Sequence, residues 1–413
     1  VPNGAESSSN TRGFRRCASL KITQAIKTYG NIRPRGGAAM GQPLRRLPPA
    51  ETLSYLLLTM TAISGEFPVS QVRRLPGGAA YMLSVVTALK RDGLLKTYSR
   101  DSLRGLRLSK QAKRLLLADR PEWFSPCLTG RAEPNVLKSE ISRRLRLHRM
   151  AEVMVTMTNA SVPSLPWEKP CFSSKDILQA FPPAYPVYYT SRELKEIGPQ
   201  GTKIKSSRAT GILLTDGGIF VVYNTGASQM KWEYKAELRL KAMLQIELLR
   251  EAPAEMCISG ILFGTDMEQI FTAMDEGRKH NYFVLDGNFD HFYYLTNDHR
   301  GEVLLRLLYD SGLKMTLDQI LSENLYACRP GWLVENDALD ESGAPVLYGY
   351  TCDMPRIRRF DTALELHEME GTLICFDFQE TVLRRVCGHR VTFQSIDFER
   401  YERSVLHIQE ETD

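Results

Sequence analysis

The first strong hydrophobic pattern lies directly after Pro48-Pro49. Apolar residues occur at positions 53, 56, 57, 60 and 63, and Gly65 follows them. This spacing of three and four residues predicts a helix with one buried face, and the glycine predicts its end. A second, short helix is predicted at 69–75, because Pro76-Gly77-Gly78 must stop it in a sharp turn.

The residues that follow predict a third helix and a two-stranded hairpin. Apolar residues occupy one side of a helix at 79–91, namely Met82, Val85, Val86 and Leu89. Gly93 is placed to end this helix in a left-handed conformation. Residues 94–98 and 106–108 alternate as strands do, and Ser109 is suited to cap a further helix at 109–118. Helices and a hairpin in this order are typical of a winged-helix domain, which we place at 43–120.

Polar and basic side chains in this segment are candidates for DNA contacts. Groups that read base edges must project from the open side of the third helix. The residues with this placement are Tyr81, Ser84, Thr87 and Lys90. The predicted phosphate contacts are Arg73, Arg74, Arg91, Arg100, Arg104 and Arg107. The alternative is a generic three-helix core with no DNA function.

Charge is divided unevenly along the chain and supports the DNA interpretation. Residues 1–150 hold 27 Lys/Arg and 9 Asp/Glu, whereas the rest holds 26 Lys/Arg and 39 Asp/Glu. A basic amino-terminal part favours a polyanionic partner, although mutual neutralisation of the two parts is an alternative. Residues 1–42, rich in Ser, Gly and Arg, are predicted to be a disordered basic arm. Residues 121–165 are predicted to be a basic helical linker, whose arginines either extend the DNA contact or pack a dimer.

Cysteine and histidine usage bears on location and cofactors. The eight cysteines form no CxxC pair, and the seven histidines show no spacing typical of metal ligands. Scattered thiols favour a reducing compartment, so we expect a cytoplasmic protein without a metal or another cofactor. No apolar run approaches the roughly 20 residues of a membrane helix, and no secretion signal is recognised.

From residue 166 to 413 the pattern changes to a mixed α/β domain. Strands are predicted at 185–190, 208–215, 219–224, 255–263, 282–285, 346–350, 372–378 and 390–393. Helices are predicted at 228–250, 267–274 and 298–310. Asp216-Gly217-Gly218 should turn a hairpin between two of these strands. Residues 325–365 show few periodic signals and are predicted to be a loop-rich insertion.

A strand, a hairpin and a helix with acidic residues raise the hypothesis of a PD-(D/E)xK nuclease. That chemistry needs two acidic residues on Mg²⁺ and a lysine near the attacking water. Asp216, Glu233 and Lys235 fit the spacing. Their placement argues against activity, because aspartate is favoured in a turn for its own reasons and residues two apart on a helix point in different directions. Tyr223 and Asn224 stand where the second acid and the lysine are expected, so we predict a degenerate nuclease fold.

Two sets of motifs resemble known proteins. The sequence LKRDGLLKTY followed by GLRLSKQAKRLLL resembles bacterial winged-helix domains. Together with YYTSRELK, GILLTDGGIFVVYN and LTNDHRGEVLLRLLYD, the chain resembles the replication-relaxation type proteins of plasmids and integrative mobile elements. The resemblance implies DNA binding in replication, mobilisation or regulation of a mobile element.

The hypothesis that follows is a sequence-specific DNA-binding protein with an α+β, multi-domain fold. Its expected partners are double-stranded DNA, a second copy in a homodimer, and replication or mobilisation proteins. One alternative is a Mg²⁺-dependent nuclease that the winged helix targets to DNA. The other is a protein-interaction module without a DNA function.

Overall fold

The structure is a computed structural model with a mixed α and β architecture. It describes residues 46–129, 141–170, 172, 182–196, 207–227, 232–249, 256–274, 288–328, 331 and 333–406. The chain divides into two compact units, Val1–Pro170 (unit 1) and Cys171–Asp413 (unit 2). The predicted basic arm at 1–42 and the predicted strand at 282–285 lie outside the described residues.

Unit 1 begins with three helical segments and a small sheet. Its elements are α1 (Leu53–Ser64), β1 (Phe67–Pro68), a 3₁₀ helix (Val69–Arg74), α2 (Ala79–Arg91), β2 (Leu95–Arg100), β3 (Leu103–Leu108), α3 (Lys110–Asp119), α4 (Pro121–Leu128) and α5 (Ile141–Asn159). The strands form an antiparallel sheet in the order β1-β3-β2. The predicted helices at the start of the unit and the predicted hairpin are confirmed as elements.

Local chemistry explains where these elements begin and end. Thr52 and Ser109 cap α1 and α3 by accepting hydrogen bonds from backbone N–H groups three residues on. Gly93 adopts a φ of 70° after α2, which glycine does without steric cost. The hairpin is tighter than predicted, because only Asp101 and Ser102 separate its strands and both have a positive φ. Such a two-residue turn matches the twist of the strands it joins.

Helix α5 is part of the core of unit 1, which corrects the predicted linker at 121–165. It packs against α1 and β1, and its residues Ala151, Val153 and Met154 are fully buried. The Arg74 guanidinium donates to Thr156 Oγ1 at 3.0 Å, so the 3₁₀ helix is also tied to α5. A helix with this many internal partners belongs to the domain that it follows.

Unit 2 contains two five-stranded sheets. Its helices are α6 (Tyr234–Glu247), α7 (Gln269–Met274), α8 (His299–Tyr309), α9 (Ser311–Ser322), α10 (Met354–Leu366), α11 (Asp377–Val386) and α12 (Phe398–Tyr401). The strands are β4 (Val187–Thr190), β5 (Gly211–Leu214), β6 (Gly218–Gly226), β7 (Cys257–Gly264), β8 (Phe292–Thr296), β9 (Tyr326–Ala327), β10 (Ala338–Leu339), β11 (Pro345–Tyr348), β12 (Gly371–Phe376) and β13 (Val391–Ile396).

The two sheets of unit 2 share one hydrophobic core. The first sheet has the order β4-β5-β6-β7-β8, with an antiparallel meander from β4 to β6 and parallel pairing from β6 to β8. The second has the order β13-β12-β11-β10-β9. Tyr223 and Phe292 of the first sheet lie in the same buried cluster as Leu347 and Leu373 of the second. The mixed α/β pattern predicted after residue 166 is thus confirmed.

The predicted loop-rich insertion at 325–365 is wrong over part of its length. It contains β9, β10 and β11 of the second sheet and all but the last residue of α10. Helix α10 buries Met354, Ile357, Phe360 and Leu364, a helical spacing that the surrounding arginines obscured. None of the helices in the described ranges combines the length and the apolar character that crossing a membrane would require.

Candidate nucleic-acid interface

Helix α2 has a buried side and an open side. Met82, Val85, Val86 and Leu89 are buried, as the apolar spacing predicted. On the open side Tyr81, Ser84 and Thr87 are exposed, and Lys90 is half-buried. Leu83 is also exposed, at 55% of its surface, and sequence analysis did not single it out. The helix therefore offers a mixed polar and apolar face to solvent.

The hydroxyl groups of this face are partly engaged with the helix itself. Ser84 Oγ donates to the Tyr81 carbonyl at 2.7 Å, and Thr87 Oγ1 donates to the Leu83 carbonyl at 2.9 Å. Serine and threonine often form such bonds within helices. Their hydroxyl oxygens still have lone pairs that accept, but their protons are committed to the backbone.

Exposed cations lie next to this face and on the hairpin. Arg73, Arg91, Arg100 and Arg104 are exposed, as is Lys96, which sequence analysis missed. Two of the arginines have a neighbouring carboxylate: Arg91 Nε lies 3.6 Å from Asp92, and Arg100 Nε lies 3.4 Å from Asp101. Pairs this exposed are weak, so the guanidinium groups remain available to a stronger anion such as phosphate.

Arg107 and Arg74, two of the predicted phosphate contacts, are placed differently. Arg107 is 8% exposed, and its Nε donates to Glu66 Oε2 at 2.8 Å. Arg74 is half-buried and divides its guanidinium between Gln71 and Thr156. Both side chains therefore hold unit 1 together, and neither is part of the exposed cationic surface.

Glu66 is the centre of a buried ionic cluster with Arg107, Arg144 and His148. Glu66 and Arg144 are both 0% exposed. Arg144 Nη2 donates to Glu66 Oε1 at 2.7 Å, and His148 Nε2 lies 2.9 Å from the same oxygen. Burial by itself raises the pKa of Glu66, but hydrogen bonds from His148 and the two arginines outweigh burial and lower the pKa to about 2. The carboxylate thus stays charged.

The cluster also fixes the hairpin. Arg144 Nη1 donates to the Arg100 carbonyl at 2.8 Å, and its Nη2 donates to the Leu103 carbonyl at 2.9 Å. The side chain therefore reaches the last residue of β2 and the first of β3. A Cβ at Gly105 would lie 2.3 Å from Glu66 Oε1, so only glycine allows the carboxylate this close to β3.

Glu66 was not predicted as a functional residue, and Arg144 was predicted only as one of the arginines of 121–165 that extend the DNA contact or pack a dimer. Two signals were present. Glu66 is the one acidic residue between positions 52 and 91 of the sequence. Arg144 is three and four residues from Leu147 and His148 and seven from Ala151, which places it on the apolar side of α5.

The residues of the nuclease hypothesis are not brought together. Asp216 is exposed in the turn between β5 and β6, and Glu233 and Lys235 are exposed at the start of α6. Tyr223, which lies beside α6, is separated from that turn by roughly 17 Å of extended strand. In the parts of the chain that the structure describes, no three His, Cys, Asp or Glu side chains are grouped to hold a metal ion.

A different acidic residue, Glu237 on α6, is buried beside Tyr223. It is 1% exposed and accepts hydrogen bonds from Tyr223 OH at 3.0 Å, Ser207 Oγ at 2.9 Å and the Arg208 backbone N–H at 2.7 Å. Burial raises the pKa of Glu237, and these hydrogen bonds oppose the rise only in part. They join α6 to β6 and to the segment before β5, which is a structural role.

Comparisons with models of protein families, with curated proteins and with solved structures found no match for this chain. The resemblance to replication-relaxation type proteins therefore stays a prediction that rests on the motifs quoted above.

Proposed function

We propose that the chain binds double-stranded DNA through a winged-helix domain at 43–120. In this proposal α2 is the recognition helix, and the β2–β3 hairpin is the wing. The observation that carries it is the open side of α2, which continues within four residues into a hairpin with exposed Arg100 and Arg104 at its tip. A helix that enters the major groove and a basic loop on the adjacent backbone are the two contacts that such a domain makes.

The exposed cations would supply most of the affinity. Arg73, Arg91, Lys96, Arg100 and Arg104 suit phosphate oxygens, because contacts of this kind do not depend on base sequence. Each phosphate neutralised releases condensed counterions, so binding should weaken steeply as salt is raised. Sequence preference must then come from α2.

For unit 2 we propose a role in assembly or in contacts with replication or mobilisation proteins, with the chain acting as a homodimer on a mobile element in the cytoplasm. Winged-helix proteins often read two half-sites as a pair. The separation of Asp216 from Glu233 and Lys235 removes the support that their spacing gave to DNA cleavage. Incubation with supercoiled plasmid and Mg²⁺ or Mn²⁺ tests this, and we expect no nicking that depends on Asp216.

The DNA proposal is tested by selecting bound duplexes from random DNA and measuring their affinity by fluorescence anisotropy at several salt concentrations. We expect Arg100→Ala with Arg104→Ala to reduce the slope of log affinity against log salt by about 0.9 for each phosphate that the variant no longer neutralises. Arg239 and Arg400 are exposed arginines of unit 2, so their double alanine variant is the charge-matched control. Equal reductions in both double variants, or no binding to any duplex, would contradict the proposal.

A further inference from the structure

The open side of α2 presents apolar groups between its polar and basic ones. Ala80, Leu83 and Thr87 are exposed on it together with Ser84. The Thr87 hydroxyl donates its proton to the Leu83 carbonyl, so this side chain offers a ligand its methyl group and an acceptor oxygen but no hydrogen-bond donor. Over residues 79–89 the sequence contains no Arg, Lys, Asn or Gln, the side chains that read guanine and adenine by hydrogen bonds, and in α2 such side chains occur only at its carboxyl end, as Lys90 and Arg91.

Charge indicates which ligand covers this face. Exposed Arg73, Arg91, Lys96 and Arg104 accompany it on unit 1, and such a set is complementary to a polyanion. The carboxylates of Asp92 and Asp101 each lie beside an arginine and leave the balance positive. A purely apolar protein partner would not need these cations, whereas duplex DNA presents phosphates on both sides of an apolar group in the groove.

We propose that α2 recognises the C5-methyl groups of thymine in the major groove, with Ala80, Leu83 and Thr87 as the contacting residues. Thymine is the base that presents a methyl group there, and alanine, threonine methyl and aromatic groups are its usual partners. The ligand is therefore duplex DNA with A·T pairs opposite the open side of α2. This inference rests on the proposed DNA-binding function and adds the base class to it.

The size of the effect follows from burial of one methyl group. A buried CH₂ or CH₃ group contributes about 0.8 kcal/mol, which corresponds to a roughly fourfold change in affinity. Two contacted thymines should thus change the affinity roughly sixteenfold if their contributions to the binding free energy add. These changes are small beside the phosphate contribution, so they are measured at constant salt.

Replacement of thymine by uracil tests the inference, because uracil has the same hydrogen-bonding groups and lacks the methyl. In the duplex recovered by selection, each thymine is replaced in turn, and the dissociation constant of the full-length chain is measured by anisotropy. We expect roughly fourfold weaker binding at one or two positions. The Leu83→Ser protein should bind the thymine and uracil duplexes with more nearly equal affinity. Arg104→Ala should weaken binding to both duplexes by the same factor.

The outcomes separate the two proposals. Binding without any difference between thymine and uracil overturns the methyl inference and leaves the DNA proposal intact. Absence of binding to every duplex overturns both. An unchanged uracil effect in Leu83→Ser and in Thr87→Ser overturns the assignment to α2.

A fall in solution mass of the Leu83→Ser protein, measured by light scattering, would show that a second copy covers this face and would overturn the inference. Leu83 is 55% exposed, and unfolding of the variant is checked by its melting temperature.

Discussion

The two units each bury a glutamate, and the pKa values of the two carboxyl groups are shifted in opposite directions. Glu66 in unit 1 is 0% exposed and Glu237 in unit 2 is 1% exposed. The pKa of Glu66 is lowered to about 2, whereas that of Glu237 is raised. Burial acts in the same direction on both, so the difference comes from the neighbours: two guanidinium groups and an imidazole in one case, and hydroxyl and backbone donors together with Arg208 in the other.

This difference shows how a basic domain uses a buried anion. The Glu66 carboxylate holds Arg107 and Arg144 inside unit 1, and Arg144 in turn holds the ends of the two hairpin strands. The cations of unit 1 thus divide into a buried group that contacts the hairpin and an exposed group at the surface, the group that the proposed function assigns to phosphate. Net charge alone does not distinguish the two groups.

The largest effect should follow from Arg144→Met. This change leaves a buried carboxylate with one cation fewer, and breaking a buried pair in this way costs about 3–5 kcal/mol. We expect the hairpin amides of β2 and β3 to lose protection from hydrogen exchange while those of β6 in unit 2 keep theirs. Arg146→Met, on the same helix but at an exposed position, is the matched control. Unchanged protection of the hairpin would show that Arg144 does not position it.

The opposite pKa shifts predict opposite pH dependences. At a pH below 4.5, the ordinary pKa of this carboxyl group, Glu66 binds protons more readily in the unfolded chain than in the folded one. Its contribution of roughly 3 kcal/mol to the free energy of unfolding is therefore lost as the pH falls from 4.5 to 2. Glu237 binds its proton more tightly in the folded chain, so stability falls as the pH rises above 4.5.

Scanning calorimetry between pH 2 and 8 measures both effects. Glu66→Gln should flatten the loss of stability on the acidic side, and Glu237→Gln should flatten the decline on the alkaline side. Each variant serves as the control for the other, because each changes a buried carboxyl to the same amide. If both variants flatten the same limb of the profile, the contrast between the two glutamates is wrong.

Local periodicity predicted the parts of unit 1 whose causes are local. Residues 79–91 were predicted as a helix and form α2 with the same bounds, because the four buried apolar residues and the glycine that follows lie within fifteen positions. The buried cluster has no such local cause. Glu66 and Arg144 are 78 positions apart, and an arginine beside other arginines resembles a solvated face until its distant partner is known.

The same reason explains what was missed in unit 2. Glu237 and Ser207 are 30 positions apart, and the spacing of Asp216, Glu233 and Lys235 matched a motif without bringing the residues together. A spacing pattern specifies which residues are present, but the topology of β5, β6 and α6 decides which of them meet. The buried acid that does contact Tyr223 follows Glu233 by one helical turn.

The smallest effect should follow from Gly105→Ala, which tests how closely Glu66 approaches the hairpin. The new Cβ would lie 2.3 Å from Glu66 Oε1, so the carboxylate or β3 must shift, and overpacking of this kind typically costs about 1–3 kcal/mol. At Gly217, in the turn of unit 2, a Cβ would meet only Thr215 Oγ1 at 3.9 Å, which makes Gly217→Ala the control. The free energy of unfolding is measured by urea denaturation.

The shift must also loosen the hydrogen bonds from Arg144 to the strand ends, so the hairpin amides should exchange faster in Gly105→Ala than in Gly217→Ala. Equal exchange in both would mean that the hairpin holds its position without the Glu66 cluster, and the contrast between buried and exposed cations would lose its structural basis.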